Sequence, residues 1–173
     1  PGRTPETKTV VEGRALEAAF DFGVLTEPLL VKVAVSTVDE EGAVRNLDSE
    51  GGDFDFDGVR SASRSAWSEA LGVLDIDASE EMRTSLYTAL YHALIAPSVS
   101  GDVDGRYRGP DNQIHLAEGF TYHSTFSLWD TFRAEHPLLT LVQPEDRNAD
   151  MINSLLASQK TSPHGILPVW SFA

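Results

Sequence analysis

Cysteine is absent from this 173-residue chain, which excludes disulfides, thiolate metal sites and cysteine nucleophiles within it and leaves the redox compartment open. Positive charge is scarce: 13 Lys and Arg stand against 27 Asp and Glu. The excess is concentrated in residues 1–81, which hold 18 acidic and 7 basic side chains. Nucleic acid and anionic membrane surfaces both require a basic footprint, so neither is expected as a partner. No apolar run approaches the roughly 20 residues of a membrane span, and no signal-peptide pattern occurs in the stretch. Familiar catalytic signatures are missing as well. The histidines show no His-Glu-x-x-His spacing, and there is no Gly-x-Ser-x-Gly elbow, phosphate-binding glycine loop or dinucleotide fingerprint. No pair of carboxylates stands out as an acid and a base. The chain opens on Pro1 without an initiator Met and closes on the apolar run Ile166-Leu-Pro-Val-Trp-Ser-Phe-Ala173; both features lead us to expect a segment of a longer protein.

An apolar share of 41% is enough for a folded domain. From Arg14, Leu16, Ala18, Phe20 and Phe22 alternate with polar residues, and after a turn at 23–28, Val31, Val33 and Val35 do the same. This period of two predicts two half-buried antiparallel strands, which need further strands to bury their apolar faces. Residues 39–58 are acidic and read as an irregular connector. Helical spacing begins at Val59 and runs to Leu71, and a strand-like run follows at 72–76. Asp77-Ala-Ser-Glu80 has capping-box spacing ahead of a helix bearing Met82, Leu86, Leu90 and Leu94 on one stripe. Tyr87, Tyr91 and His92 on that helix are expected to be core groups with satisfied hydrogen bonds, and Pro97 ends it.

Residues 96–123 read as a long, ordered loop. Asp102-Val-Asp-Gly105 has the start of a calcium loop but lacks the glycine and terminal glutamate of an EF-hand. Arg106, Tyr107 and Arg108 are placed either to contact a ligand or to brace this loop by pairing with Asp102 and Asp104. Next comes Ser124-Thr-Phe-Ser-Leu-Trp-Asp-Thr-Phe-Arg-Ala-Glu-His-Pro-Leu-Leu-Thr-Leu141, an apolar helix-periodic stretch carrying Asp130 and Arg133 among aromatics. Spaced three apart, these two are neighbours on a helix surface. They suit either a half-buried ion pair or the wall of a pocket for a polar ligand with an apolar face, such as a sugar. Pro137 predicts a kink or break at His136. A last helix through Met151, Ile152, Leu155 and Leu156 reaches about Lys160.

Four motifs occur in order: Leu86-Tyr-Thr-Ala-Leu-Tyr-His-Ala-Leu-Ile-Ala-Pro97, Asp102-Val-Asp-Gly-Arg-Tyr-Arg-Gly109, Phe126-Ser-Leu-Trp-Asp-Thr-Phe-Arg-Ala-Glu-His-Pro-Leu-Leu-Thr-Leu141 and Gly165-Ile-Leu-Pro-Val-Trp170. With Val33-Ala-Val-Ser36, Gly42-Ala43, Asn46-Leu47 and Trp67 upstream, the chain resembles the family-92 glycoside hydrolases, calcium-dependent exo-acting α-mannosidases. The resemblance implies an α+β two-domain fragment: the last strands of an N-terminal β-sandwich over 1–47, a linker with a helix over 48–78, and the first helices of an (α/α)6 toroid over 79–173. It implies an inverting hydrolysis of terminal α-mannosides, with an acid and a base that lie outside this chain, so that the chain alone is inactive. Asp130 and Trp129 are then expected to bind the sugar, with Arg133, Arg106 and Asp104 in support and no metal ligand in the chain. The calcium ligands are expected mainly outside it. The implied partners are a mannose-containing glycan and the remaining polypeptide of the same enzyme, in a secreted, periplasmic or cell-surface setting. The competing expectation is a stand-alone carbohydrate- or protein-binding module, which would fold and stay monodisperse by itself.

Overall fold

Helices supply most of the regular structure in the computed structural model, which describes residues 17–124 and 126–169. Residues up to Leu30 form one unit and those from Val31 another. In the first, residues 17–30 are exposed and contain neither helix nor strand. Asp21 Oδ1 accepts from the Gly23 backbone N–H at 2.8 Å, a local turn that Gly23 permits with a φ of +65°. The predicted strand here is therefore not formed over 17–22, and its earlier part, including Leu16, lies outside the described residues.

The second unit begins with residues 31–38, whose exposure alternates with the expected period of two. Its apolar face is turned out: Val33 is 82% exposed, whereas Lys32, Ala34, Ser36 and Val38 are half-buried. No strand is assigned here, because a strand needs a hydrogen-bonded neighbour and none pairs with it among the described residues. The acidic connector is corrected as well, since it contains helix α1, Glu40–Gly51. Asp39 caps it by accepting from the Gly42 N–H at 2.6 Å, and Glu40 and Glu41 favour the positive end of the helix dipole. The expected boundary at residue 47 falls inside α1.

Helix α2, Phe56–Leu71, starts at an Asp55 cap and ends at Gly72. The run 72–76 that follows forms no strand. Helix α3, Glu80–Ala93, is capped by Ser79, which accepts from the Met82 N–H at 3.3 Å; the cap is therefore two residues later than the predicted Asp77. Tyr87 donates to the Leu74 carbonyl at 2.8 Å, as a core tyrosine should, but Tyr91 and His92 are exposed. Residues 96–123 are more regular than a loop. Strand β1, Ser98–Val99, pairs antiparallel with β4, His123–Ser124, and β2, Arg106–Arg108, pairs antiparallel with β3, Ile114–Leu116.

The apolar helix-periodic stretch splits into α4, Leu128–Thr131, and α5, Glu135–Val142, with α6 at Glu145–Thr161. The break falls at 132–134 rather than at His136. Pro137 stands in the first turn of α5, where a backbone N–H has no intrahelical acceptor to lose. One apolar core joins Leu90 of α3 and Leu94, just after it, to Phe126, Leu139, Val142 and Met151, with Trp67, Ala70 and Leu71 of α2 against it. Burying a side chain such as Leu139 contributes roughly 2 kcal/mol. A smaller cluster packs Tyr107 on Tyr122, rings stacked 3.8 Å apart, and anchors them to α6 through Tyr122 Oη and Ser158 Oγ at 3.0 Å.

Candidate functional site

Phe126 is buried in the main core, and the chain leaves that anchor directly into α4. The Trp129 N–H donates to the Val169 carbonyl at 3.2 Å, tying α4 to the segment after α6. Trp129 is 65% exposed and Asp130 beside it is also exposed. Trp129 and Asp130 are thus two successive exposed residues of one short, braced helix. The expected Asp130–Arg133 brace is absent. Helix α4 ends at Thr131, so the three-residue helical spacing is not carried through to Arg133, whose guanidinium lies 5.6 Å from the centroid of the Phe132 ring. Ser127 takes the place of Arg133: its Oγ donates to Asp130 Oδ2 at 2.5 Å. Sequence reasoning missed Ser127, which stands three residues before Asp130 at the start of α4.

Arg106 and Asp104 are brought together, but around a different centre. Arg106 Nε donates to Asp104 Oδ2 at 2.9 Å and its Nη1 to Asp39 Oδ2 at 2.9 Å. Arg45 Nη2 adds a contact of 3.2 Å to Asp104. The Arg106 hydrogen bond, followed by that from the Gly42 N–H, holds the Asp39 carboxyl below its usual range. Neither Arg106 nor Asp104 bonds to Asp130, whose carboxylate accepts only from Ser127 among the described residues. Arg108 is likewise a brace, donating to the Thr37 and Val38 carbonyls at 2.6 and 2.9 Å.

Asp102 does not pair with an arginine as expected. It is buried and accepts from Ser36 Oγ at 2.8 Å and Asn46 Nδ2 at 3.0 Å. A Cβ on Gly42 would overlap the Asp102 carboxylate, so a residue without a side chain is required where α1 meets this loop. The carboxylates of this region are thus occupied by arginine, amide and hydroxyl donors. Among the described residues no group of three His, Asp or Glu side chains could hold a metal ion. These residues do not fit a calcium site by themselves, and no chemical step through calcium follows from them.

Comparison with known proteins gives the class. The sequence matches the glycosyl hydrolase family 92 catalytic domain over residues 42–173. Its fold is similar to that of a family GH92 α-mannosidase from Bacteroides thetaiotaomicron, with 41% identity, a TM-score of 0.74, and coverage of 79% of this chain and 18% of that one. The same enzyme has been solved in complex with mannoimidazole. The GH92 family glycosyl hydrolase ccman5 is similar at 33% identity and a TM-score of 0.67, over 74% of this chain and 18% of that one. An uncharacterized secreted glycosidase of Arthroderma benhamiae is 27% identical over 107 residues, which are 59% of this chain and 13% of the relative. The chain belongs to glycosyl hydrolase family 92, and it spans less than a fifth of the length of these relatives.

Proposed function

We propose that this chain supplies the sugar-binding part of an exo-acting, inverting, calcium-dependent α-mannosidase that hydrolyses terminal α-mannosides of glycans. The observation that carries the proposal is the exposed Asp130 carboxylate, one oxygen held by Ser127 and the other open, beside exposed Trp129, in a chain of family 92. An ionised carboxylate accepts hydrogen bonds from sugar hydroxyls, each worth about 1.5–3 kcal/mol. The indole offers an apolar face for the C–H side of the ring. The mannoimidazole complex of the Bacteroides enzyme supports mannose as the ligand.

Inversion requires a carboxylic acid at the leaving oxygen and a carboxylate that activates water, spaced to leave room for that water. In this reading both groups, with the calcium ligands, belong to the remaining polypeptide, so that the chain alone is inactive. In this reading residues 1–47 belong to a β-sandwich domain, 48–78 to a linker and 79–173 to an (α/α)6 toroid. The helices from Glu80 onward support the last part of that division, while α1 runs across its first boundary. The secreted glycosidase among the relatives favours a secreted, periplasmic or cell-surface enzyme; no helix among the described residues is long and apolar enough to cross a membrane. In the full-length enzyme, Asp130→Ala should lower kcat/KM on a terminal α-mannoside by about tenfold or more. Wild-type kinetics in that variant would remove Asp130 from the site.

A further inference from the structure

We propose that Ser127 is the positioning residue for Asp130, fixing Oδ2 so that Oδ1 is the oxygen presented to a sugar hydroxyl. This rests on the reading of Asp130 as a sugar ligand. Ser127 occupies the N-cap of α4 with φ −133° and ψ 75°, yet its side chain makes no capping bond. A serine at that position ordinarily accepts from a backbone N–H of the first turn. Here the Asp130 N–H goes instead to the Ser127 carbonyl at 2.9 Å, and Thr131 Oγ1 donates to the same carbonyl at 3.0 Å. The Ser127 backbone is held by these bonds and by the burial of Phe126 just before it. A hydroxyl has one hydrogen to give, and Ser127 gives it to Asp130 Oδ2.

The carboxylate accepts no other hydrogen bond among the described residues, and Arg133 does not pair with it. An exposed aspartate without partners samples several rotamers, and a ligand must order it on binding. One bond from a fixed hydroxyl removes much of that freedom and leaves both lone pairs of Oδ1 unused. A brace of the opposite charge would also fix the side chain, but it would compete with the sugar hydroxyls for the carboxylate. Serine orients the group without neutralising it.

The experiment is a double-mutant cycle in the full-length enzyme with Ser127→Ala, Ser127→Thr, Asp130→Ala and Ser127→Ala/Asp130→Ala, read as kcat/KM on a terminal α-mannoside alongside the thermal midpoint. Ser127→Ala should cost about five- to tenfold, and Ser127→Thr, which keeps the hydroxyl, should stay within about twofold of wild type. In the Asp130→Ala background Ser127→Ala should add nothing. An equal loss in both backgrounds, or a threonine as poor as alanine, would overturn the positioning role. So would an undamaged Ser127→Ala beside a damaged Asp130→Ala. Wild-type kinetics in Asp130→Ala would instead overturn the ligand reading itself, and the proposal with it. Should Ser127→Ala lose its fold, Ser127→Cys, nearly isosteric with a weak donor, carries the same expectation.

Discussion

Asp102 and Asp130 are each followed closely by an arginine, and each suggests a ligand site in the sequence, yet the fold uses them in opposite ways. Asp102 is buried, with one oxygen taken by Ser36 and the other by Asn46. Both donors come from the segment leading into α1 and from α1 itself, so the carboxylate joins that region to the loop after β1. Asp130 is exposed, with one oxygen taken by Ser127 and the other unbonded among the described residues. A carboxylate whose acceptors are satisfied inside the chain is a structural part. One that is half satisfied and faces solvent has capacity left for a ligand.

The sharpest way to break this contrast is Asp102→Ala. It leaves Ser36 Oγ without its acceptor, whereas Asn46 Nδ2 keeps the Val35 carbonyl at 3.0 Å; a polar group stranded in this way costs about 1–3 kcal/mol. We expect a loss of about 2–3 kcal/mol in the full-length enzyme, read as a shift in the chemical-denaturation midpoint. A loss under about 1 kcal/mol would mean that Asp102 is not the tie described here.

A smaller effect comes from His123, which is 2% exposed and lies in β4, opposite Val99 in the β1–β4 ladder. Its N–H donates to Ser154 Oγ at 2.8 Å, and its Nδ1 lies 2.9 Å from the Thr121 carbonyl. Burial pushes the imidazole below its ordinary value of about 6.5, and Arg147 nearby acts in the same direction, while the Thr121 carbonyl and Asp150 oppose them. The unfolded chain therefore binds the proton more readily than the folded one. Stability from this group is fully present above about pH 6.5 and is lost as the pH falls below it. Asp39 and Asp111 are both held below 3.8, Asp111 mainly by the Gln113 N–H, and their contribution is lost only in that lower range. A thermal midpoint that starts to decline below pH 6.5, and a flatter profile in His123→Gln, are the expected results. A wild-type midpoint level down to pH 5 would remove His123 from the account.

Helices with a clear apolar stripe were legible in the sequence: α6 runs through Met151 and Leu155 as the spacing required, and α2 and α3 lie close to their predicted places. Helix α1 was hidden because acidic composition resembles a solvated connector; its signal was the Asp39 cap followed by Glu40 and Glu41, at the end of the helix where negative charge is favourable. The alternation in 31–38 survives in its exposure, but periodicity names a face without naming what covers it, and here the valines face outward. Trp129 and Asp130 both lie in α4, as their adjacency in the sequence implies. Arg133 was misread because four residues of helix end before reaching it. The Arg106–Asp104 pair was visible at a separation of two, whereas its partner Asp39 lies 67 positions away. No local pattern can show such a contact.

The weakest effect on stability, and the one that best sharpens the comparison, is expected from Asp130→Ala. Only the Ser127 hydroxyl loses a partner, and it is half-buried at the start of an exposed helix where water can replace the carboxylate. Freed of Asp130, Ser127 Oγ can also turn back to accept a first-turn N–H as an ordinary N-cap. The midpoint should therefore stay within about 0.5 kcal/mol of wild type, while kcat/KM falls by about tenfold or more. A stability loss as large as that of Asp102→Ala would place Asp130 with the structural carboxylates, and the drop in activity would then report a damaged fold in place of a missing sugar contact.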